Sequence, residues 1–140
     1  MLLLDKLLTD ENNKPPAHKR VLCVEDDRDT CDVLRFVLTD YDFTAVNSVT
    51  AANQLIEKEH FDLYVLDNWL PDGSGVDLCK AIRQLGINVP IVFTSAIAQS
   101  HEVEIAMLAG ADRYLVKPYE PENLVQTVKE LLNQNSQVSF

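Results

Sequence analysis

From Arg20 onward, short apolar runs alternate with segments whose apolar residues recur at helical spacing. Val21-Leu22-Cys23-Val24 is a continuous apolar run, as expected of a strand covered on both faces. After Asp29 and Thr30, the residues Val33, Leu34, Val37 and Leu38 predict a helix. A second strand is predicted from Phe43 to Val46, a helix from about Ala51 to Glu59, and a third strand over Leu63-Tyr64-Val65-Leu66. Pro71-Asp72-Gly73-Ser74-Gly75 is loop chemistry. Val76, Leu78, Cys79 and Ile82 then resume the helical period until Gly86. Pro90 to Thr94 forms a fourth strand, Glu102 to Ala109 a helix ended by Gly110, and Tyr114-Leu115-Val116 a fifth strand. Pro121 opens a last helix through Leu124, Val125, Val128, Leu131 and Leu132, at a position where its missing N–H costs nothing.

Strict strand–helix alternation predicts an α/β domain: a doubly wound, five-stranded parallel sheet with helices on both faces. In such sheets functional groups gather beyond the carboxyl ends of the strands, near the switch in strand order. The first strand delivers Glu25 and Asp26 there, the third Asp67, the fourth Ser95 and the fifth Lys117. Taken singly, each reads as a solvated loop residue. Jointly, two acids, a lone carboxylate, a hydroxyl and an ammonium on one edge predict a metal-assisted phosphoryl-acceptor site.

Composition narrows the classes further. A chain of 140 residues with 46% hydrophobic and 24% charged residues is ordinary for one globular domain. The formal charge of -10 opposes contact with phosphate backbones or anionic lipid, so neither nucleic acid nor membrane insertion is expected. Cys23, Cys31 and Cys79 are odd in number and lie within predicted strands or helices, as reduced, buried thiols of a cytoplasmic protein would. The opening run Leu2 to Leu8 is broken by Asp5 and followed by no cleavage site, so it is not a signal peptide. It reads as a frayed tail or as a docking stripe of Leu4, Leu7 and Leu8, with a polar linker through Asn12, Asn13, Pro15 and Pro16. The expected organisation is an extension over 1–19, a domain over 20–134 and a tail over 135–140. His18, His60 and His101 match no metal spacing, and Asp62, Asp72 and Asp112 read as capping or turn residues.

Four stretches in order, Val24-Glu25-Asp26-Asp27, Leu66-Asp67 with Leu70-Pro71-Asp72-Gly73, Phe93-Thr94-Ser95-Ala96, and Gly110-Ala111-Asp112 through Lys117-Pro118, carry a specific signal. With these the chain resembles the receiver domain of two-component response regulators, over about Lys19 to Asn133. The acid pair of that family directly follows the apolar strand, so Glu25 and Asp26 match it and Asp27 is extra. Ser95, 22 residues before Lys117, matches the switch hydroxyl better than Thr94.

The resemblance implies the flavodoxin-like receiver topology 2-1-3-4-5 and a role for each group. Asp67 would be the phosphoacceptor, taking a phosphoryl group from a sensor histidine kinase or a histidine phosphotransfer protein. Asp26 and Asp67 would hold Mg²⁺ directly, Glu25 through water, and the backbone carbonyl of Trp69 would add a ligand. Lys117 and Ser95 would hold phosphoryl oxygens, the Lys117–Pro118 bond would be cis, and Tyr114 would couple to Ser95 in a switch of the face built from the fourth helix, fifth strand and fifth helix. Physically, a donor phosphate and Asp67 are both anionic, and like unit charges about 4 Å apart repel by about 4 kcal/mol at an effective dielectric of about 20. A divalent cation with oxygen ligands removes that barrier.

Val103, Arg113 and Thr127 stand where regulators with winged-helix domains carry the charges of their dimer, so that dimer is not expected. With only Gln134 to Phe140 after the last helix, the expectation is a stand-alone receiver that acts on an unidentified downstream protein or relays the phosphoryl group. The bulky Trp69 and Ile97, each two residues beyond a site residue, predict slow self-hydrolysis. A receiver-like interaction module that takes no phosphate would have lost an acid or the lysine, and none is missing. A dehalogenase-type phosphatase would want a second acid where Trp69 stands, and a flavodoxin a hydroxyl-rich loop after the first strand.

Overall fold

The computed structural model describes residues 18–136. Seven strands and five helices follow in the order β1 (Arg20–Val24), α1 (Arg28–Val37), β2 (Asp42–Val46), α2 (Val49–Lys58), β3 (Leu63–Asp67), β4 (Trp69–Leu70), β5 (Gly73–Ser74), α3 (Gly75–Gln84), β6 (Ile91–Ser95), α4 (Ser100–Ala109), β7 (Arg113–Val116) and α5 (Pro121–Ser136). Five strands form one sheet in the order β2-β1-β3-β6-β7, every pairing parallel. With the short antiparallel pair β4–β5 set aside, this is the 2-1-3-4-5 order expected.

Alternation along each strand divides the core between the two faces. Val21 and Cys23 of β1, with Val65 and Val92, pack against Leu34 of α1, Leu38 at its C-cap, and Leu124 and Val128 of α5. Leu22 and Val24, with Leu66 and Phe93, pack against Ile56 of α2, Leu78 and Ile82 of α3 and Ala106 of α4. Side chains with under 2% exposure, such as Leu22, Leu66 and Phe93, contribute roughly 1.5–3 kcal/mol each by leaving water.

Local chemistry sets the helix starts. Asp27, Ser48 and Ser74 cap α1, α2 and α3 by accepting from the backbone N–H of Thr30, Ala51 and Asp77. These caps explain one difference from the sequence pattern, since α2 begins at Val49 rather than near Ala51. Asp72 reinforces the same start, its carboxylate accepting from Val49 N (2.7 Å) and from Thr50 N (2.9 Å) and Oγ1 (2.6 Å). The segment read as plain loop thus carries the β4–β5 hairpin, fastened to α2. The start of α4 also lies two residues earlier than the pattern indicated, and α5 continues to Ser136 because no glycine or proline stops it.

Two arginines tie down the edge where the strands begin. Arg83 donates to the carbonyls of Gly110 (2.7 and 3.1 Å), Ile87 (3.0 Å) and Val89 (2.7 Å) and to Asp112 Oδ2 (3.0 Å), which also accepts from Ile91 N (2.8 Å). Arg20 pairs with Glu59 (2.6 Å) and lies 4.6 Å over the Phe61 ring, while its backbone N–H donates to Asp62 (2.7 Å). Among the described residues, no helix is long and apolar enough to cross a membrane. The docking stripe at Leu4, Leu7 and Leu8 lies outside the described residues, as do positions 137–140 of the tail.

Candidate functional site

Where β1 ends, Glu25 continues the ladder by donating its N–H to Val46 O (2.9 Å), which fixes its side chain at 3% exposure over the sheet edge. Both carboxylate oxygens are engaged: Oε1 lies 2.7 Å from Lys117 Nζ, and Oε2 accepts from Asp27 N (3.2 Å). Asp26 is exposed and opens to solvent. Asp27, the extra acid, turns away to cap α1, accepting from Thr30 N (3.1 Å) and Oγ1 (2.5 Å), which hold its carboxyl below the ordinary range. Asp67 closes β3 with 5% of its surface exposed. One oxygen from each of Glu25, Asp26 and Asp67 lies within 4.8 Å of the others.

Lys117 reaches this group from the far side of the edge. Its backbone N–H donates to Ser95 O (2.8 Å), the Lys117–Pro118 bond is cis, and its Nζ lies 3.4 Å from Asp67 Oδ1. Burial pushes the Asp67 carboxyl up to about 6, and the neighbouring charge of Glu25 adds to the effect against the opposing pull of Lys117. The Lys117 ammonium is likewise raised: burial works against its charge, but the bond to Glu25 and the charge of Asp67 outweigh it. Tyr119, which follows the cis proline, has its phenol pushed up, first by burial and then by the charges around Cys23, Glu25 and Asp67.

Ser95 is fully buried at the end of β6, and its Oγ accepts from Ile97 N (3.2 Å). The neighbouring Thr94 turns its hydroxyl to the Leu66 carbonyl (3.5 Å). Tyr114 stacks on Phe93 at a centroid distance of 5.6 Å and donates its hydroxyl to Ile97 O (2.7 Å). One residue, Ile97, therefore joins the serine and the tyrosine through its two backbone groups. Trp69 stands in β4, two residues past Asp67, with 65% of its surface exposed.

The donor set suits a hard divalent cation. Its three groups are all carboxylates, which Mg²⁺ and Ca²⁺ prefer over softer metals. Burial and mutual repulsion raise Asp67, a strain that a cation between the oxygens relieves. Both oxygens of Glu25 have protein partners, whereas Asp26 is exposed and Asp67 meets Lys117 at 3.4 Å.

Four further residues shape the site without having been singled out for it in the sequence. Gly75 begins α3 so close to β3 that a Cβ there would collide with the Asp67 carbonyl, while its N–H donates to Asn68 O (3.0 Å). Asn68 holds a buried Oδ1 that has no protein partner. Asp72 fastens the hairpin that carries Trp69 to α2, and Tyr119 lines one cavity together with Lys117. A glycine at a helix start and an amide directly after the acceptor carboxylate were the available signals for the first two.

Residues 21–129 match the family described as response regulator receiver domain. The DNA-binding response regulator MtrA of Mycobacterium tuberculosis is 33% identical over 119 residues, covering 84% of this chain and 52% of that protein. The response regulator SaeR of Staphylococcus epidermidis is 30% identical, covering 80% and 49%. This chain thus spans about half the length of these relatives. Among solved structures, the CheY-like receiver domain protein of Methanospirillum hungatei superposes with a TM-score of 0.82 at 26% identity, covering 88% of this chain and 100% of that one. The sheet order, the acids and lysine on one edge and these matches lead to one assignment: the chain belongs to the response regulator receiver domain family, whose members are signalling phosphoacceptors.

Proposed function

We propose that Asp67 accepts a phosphoryl group from a phosphohistidine of a sensor kinase or phosphotransfer protein, and that Glu25, Asp26 and Asp67, with the Trp69 carbonyl, hold the Mg²⁺ this requires. The observation that carries this reading is the convergence of three carboxylates within 4.8 Å, with Lys117 at 3.4 Å from Asp67. An Asp67 oxygen attacks phosphorus, the P–N bond breaks, and the leaving imidazole carries away the electron pair and is protonated. When bound, Mg²⁺ supplies positive charge between acceptor and donor oxygens.

Lys117 leaves Glu25 to pair with a phosphoryl oxygen, a role suited to a compact ammonium. Ser95 donates its hydroxyl to another, breaking its contact with Ile97 N, and Tyr114 responds through the shared Ile97. Acylation of Asp67 thereby biases the face of α4, β7 and α5 toward a downstream protein or a relay partner. Hydrolysis of the acyl phosphate resets the switch. We read the chain as a cytoplasmic protein that acts on other proteins, with no role for nucleic acid or membrane in this domain.

The deciding experiment is incubation with acetyl phosphate and Mg²⁺, followed by intact mass and peptide mapping. One phosphoryl group on Asp67, lost in Asp67→Asn and in the presence of a chelator, is the expected outcome. An unmodified chain, or label on another residue, would overturn the reading.

A further inference from the structure

Val33 and Phe36 stand one helical turn apart on α1, with 45% and 80% of their surfaces exposed. Val33 also lines an open cavity of about 460 Å³ between the start of α1 and the segment that joins β7 to α5, whose walls include Thr30, Leu34, Pro118, Tyr119 and Pro121. Two of its charged members are already committed, since Asp27 caps α1 and Lys117 pairs with Glu25. An apolar strip and an apolar cavity thus run together along one side of α1. The phosphoacceptor chemistry uses neither.

The same chain holds a matching stripe. Residues 1–17 carry five leucines between Leu2 and Leu8, and Leu4, Leu7 and Leu8 recur at the spacing of one helical face. The chain enters the fold beside the C-terminal end of α1, where Lys19 O accepts from Asp42 N (2.9 Å), shortly after the cap residue Leu38. From that point α1 leads back to the cavity over about 15 Å, the length of its ten residues. The stretch 9–17 spans up to about 30 Å when extended, and Pro15 and Pro16 favour extension. Leu2 to Leu8 can therefore reach Phe36, Val33 and the cavity with slack. The exposed Met107 and Leu108 of α4 offer no such path, because α4 packs on the other face of the sheet.

We propose that the leucine stripe of residues 2–8 docks on its own domain, against Phe36 and Val33 of α1 and into the cavity beside Tyr119. Removal of apolar surface from water on both sides supplies the attraction. The tether makes the encounter intramolecular, at an effective concentration of roughly millimolar order. The docked stripe covers the α1 side of the domain up to Lys117, and a protein that engages this side has to displace it. Docking does not depend on phosphoryl transfer at Asp67, so failure of either reading leaves the other intact.

The test places a photoreactive side chain in the full-length chain as Leu7→p-benzoylphenylalanine, mixes ordinary with heavy-isotope-labelled protein, irradiates, and maps the products by mass. The expected cross-links run within one chain, from position 7 to peptides that contain Val33 and Phe36 or Tyr119. Val33→Lys with Phe36→Lys, at two exposed positions, should keep the circular dichroism of the parent and lose these cross-links. In the unlabelled chain, Leu4→Ser with Leu7→Ser and Leu8→Ser should speed amide exchange over residues 30–37 several-fold. Cross-links that join ordinary to heavy chains would overturn the proposal in favour of a second copy as occupant. Cross-links to α4, or none together with unchanged exchange, would overturn it outright.

Discussion

Lys117 lies closer to Glu25 than to the carboxylate it is expected to serve: its ammonium is 2.7 Å from Glu25 Oε1 and 3.4 Å from Asp67 Oδ1. Glu25 is therefore the main counterion of the resting lysine, and its charge is one source of the raised Asp67 carboxyl. Removing that charge in Glu25→Gln should lower the Asp67 midpoint from about 6 toward the ordinary carboxylate range, and free Lys117 to pair fully with Asp67. Carboxyl-carbon NMR across a pH titration reads this directly. A midpoint that stays put would mean that burial alone raises Asp67.

The same shift makes the acceptor a liability for the metal-free fold. A carboxyl raised from 3.8 to about 6 favours the protonated native state, so its contribution is fully present below about pH 4 and is lost as pH rises through 6. At pH 7 the ionised group costs on the order of 2–3 kcal/mol. Asp67→Asn should accordingly unfold at higher urea concentration than the parent at pH 7, with no gain below pH 4. Saturating Mg²⁺ should close the gap at pH 7, because the cation stabilises the parent and not the variant. Equal midpoints without metal at pH 7 would contradict this.

Trp69 and Ile97 are large apolar residues that each follow a site residue by two positions. Side chains of this size would hinder a water in line with an Asp67–phosphorus bond. Replacing both with alanine should shorten the acyl-phosphate half-life several-fold, where tenfold corresponds to about 1.4 kcal/mol of barrier. Loss of phosphate from the Mg²⁺-bound protein after removal of the donor gives the rate. A longer half-life in the double variant would reverse the assignment.

Tyr114 donates to the Ile97 carbonyl at 2.7 Å while Ile97 N–H serves Ser95, so the phenol and the serine share one peptide segment. Tyr114→Phe should cost about 0.5–1.5 kcal/mol of stability, the net worth of one hydrogen bond. The ring and its stacking on Phe93 remain, so phosphorylation of Asp67 should proceed at a similar rate. What should change is the response of α4, β7 and α5, measured as amide exchange with and without a beryllofluoride mimic. An unaltered response would separate Tyr114 from the switch.

Much of this arrangement was legible in the chain because the signals were redundant. Three buried strands, β1, β3 and β6, read as apolar runs, and these three and the half-buried β7 each lead to a group whose type the chemistry constrains. The register of the acids was also readable, since Glu25 directly follows Val24 and Asp27 has the spacing of a helix cap to Thr30. The hairpin after Asp67 was not, because strands of two residues carry no period. Nor was the preference of Lys117 for Glu25 over Asp67, which depends on side-chain placement across 92 residues of sequence. Cys31 reads as a buried thiol from its place in a predicted helix, yet it is half-buried and lines a cavity with Glu25 and Asp26.

The arginine clamps of Arg20 and Arg83 lie at the edge where the strands start, and every reactive group lies at the other. Robustness and signalling are thus written into separate ends of one sheet. Lineages descended from such a chain can rewrite the loops after β3, β6 and β7 to retune timing or choice of partner, while the ties at the opposite end keep the scaffold in register.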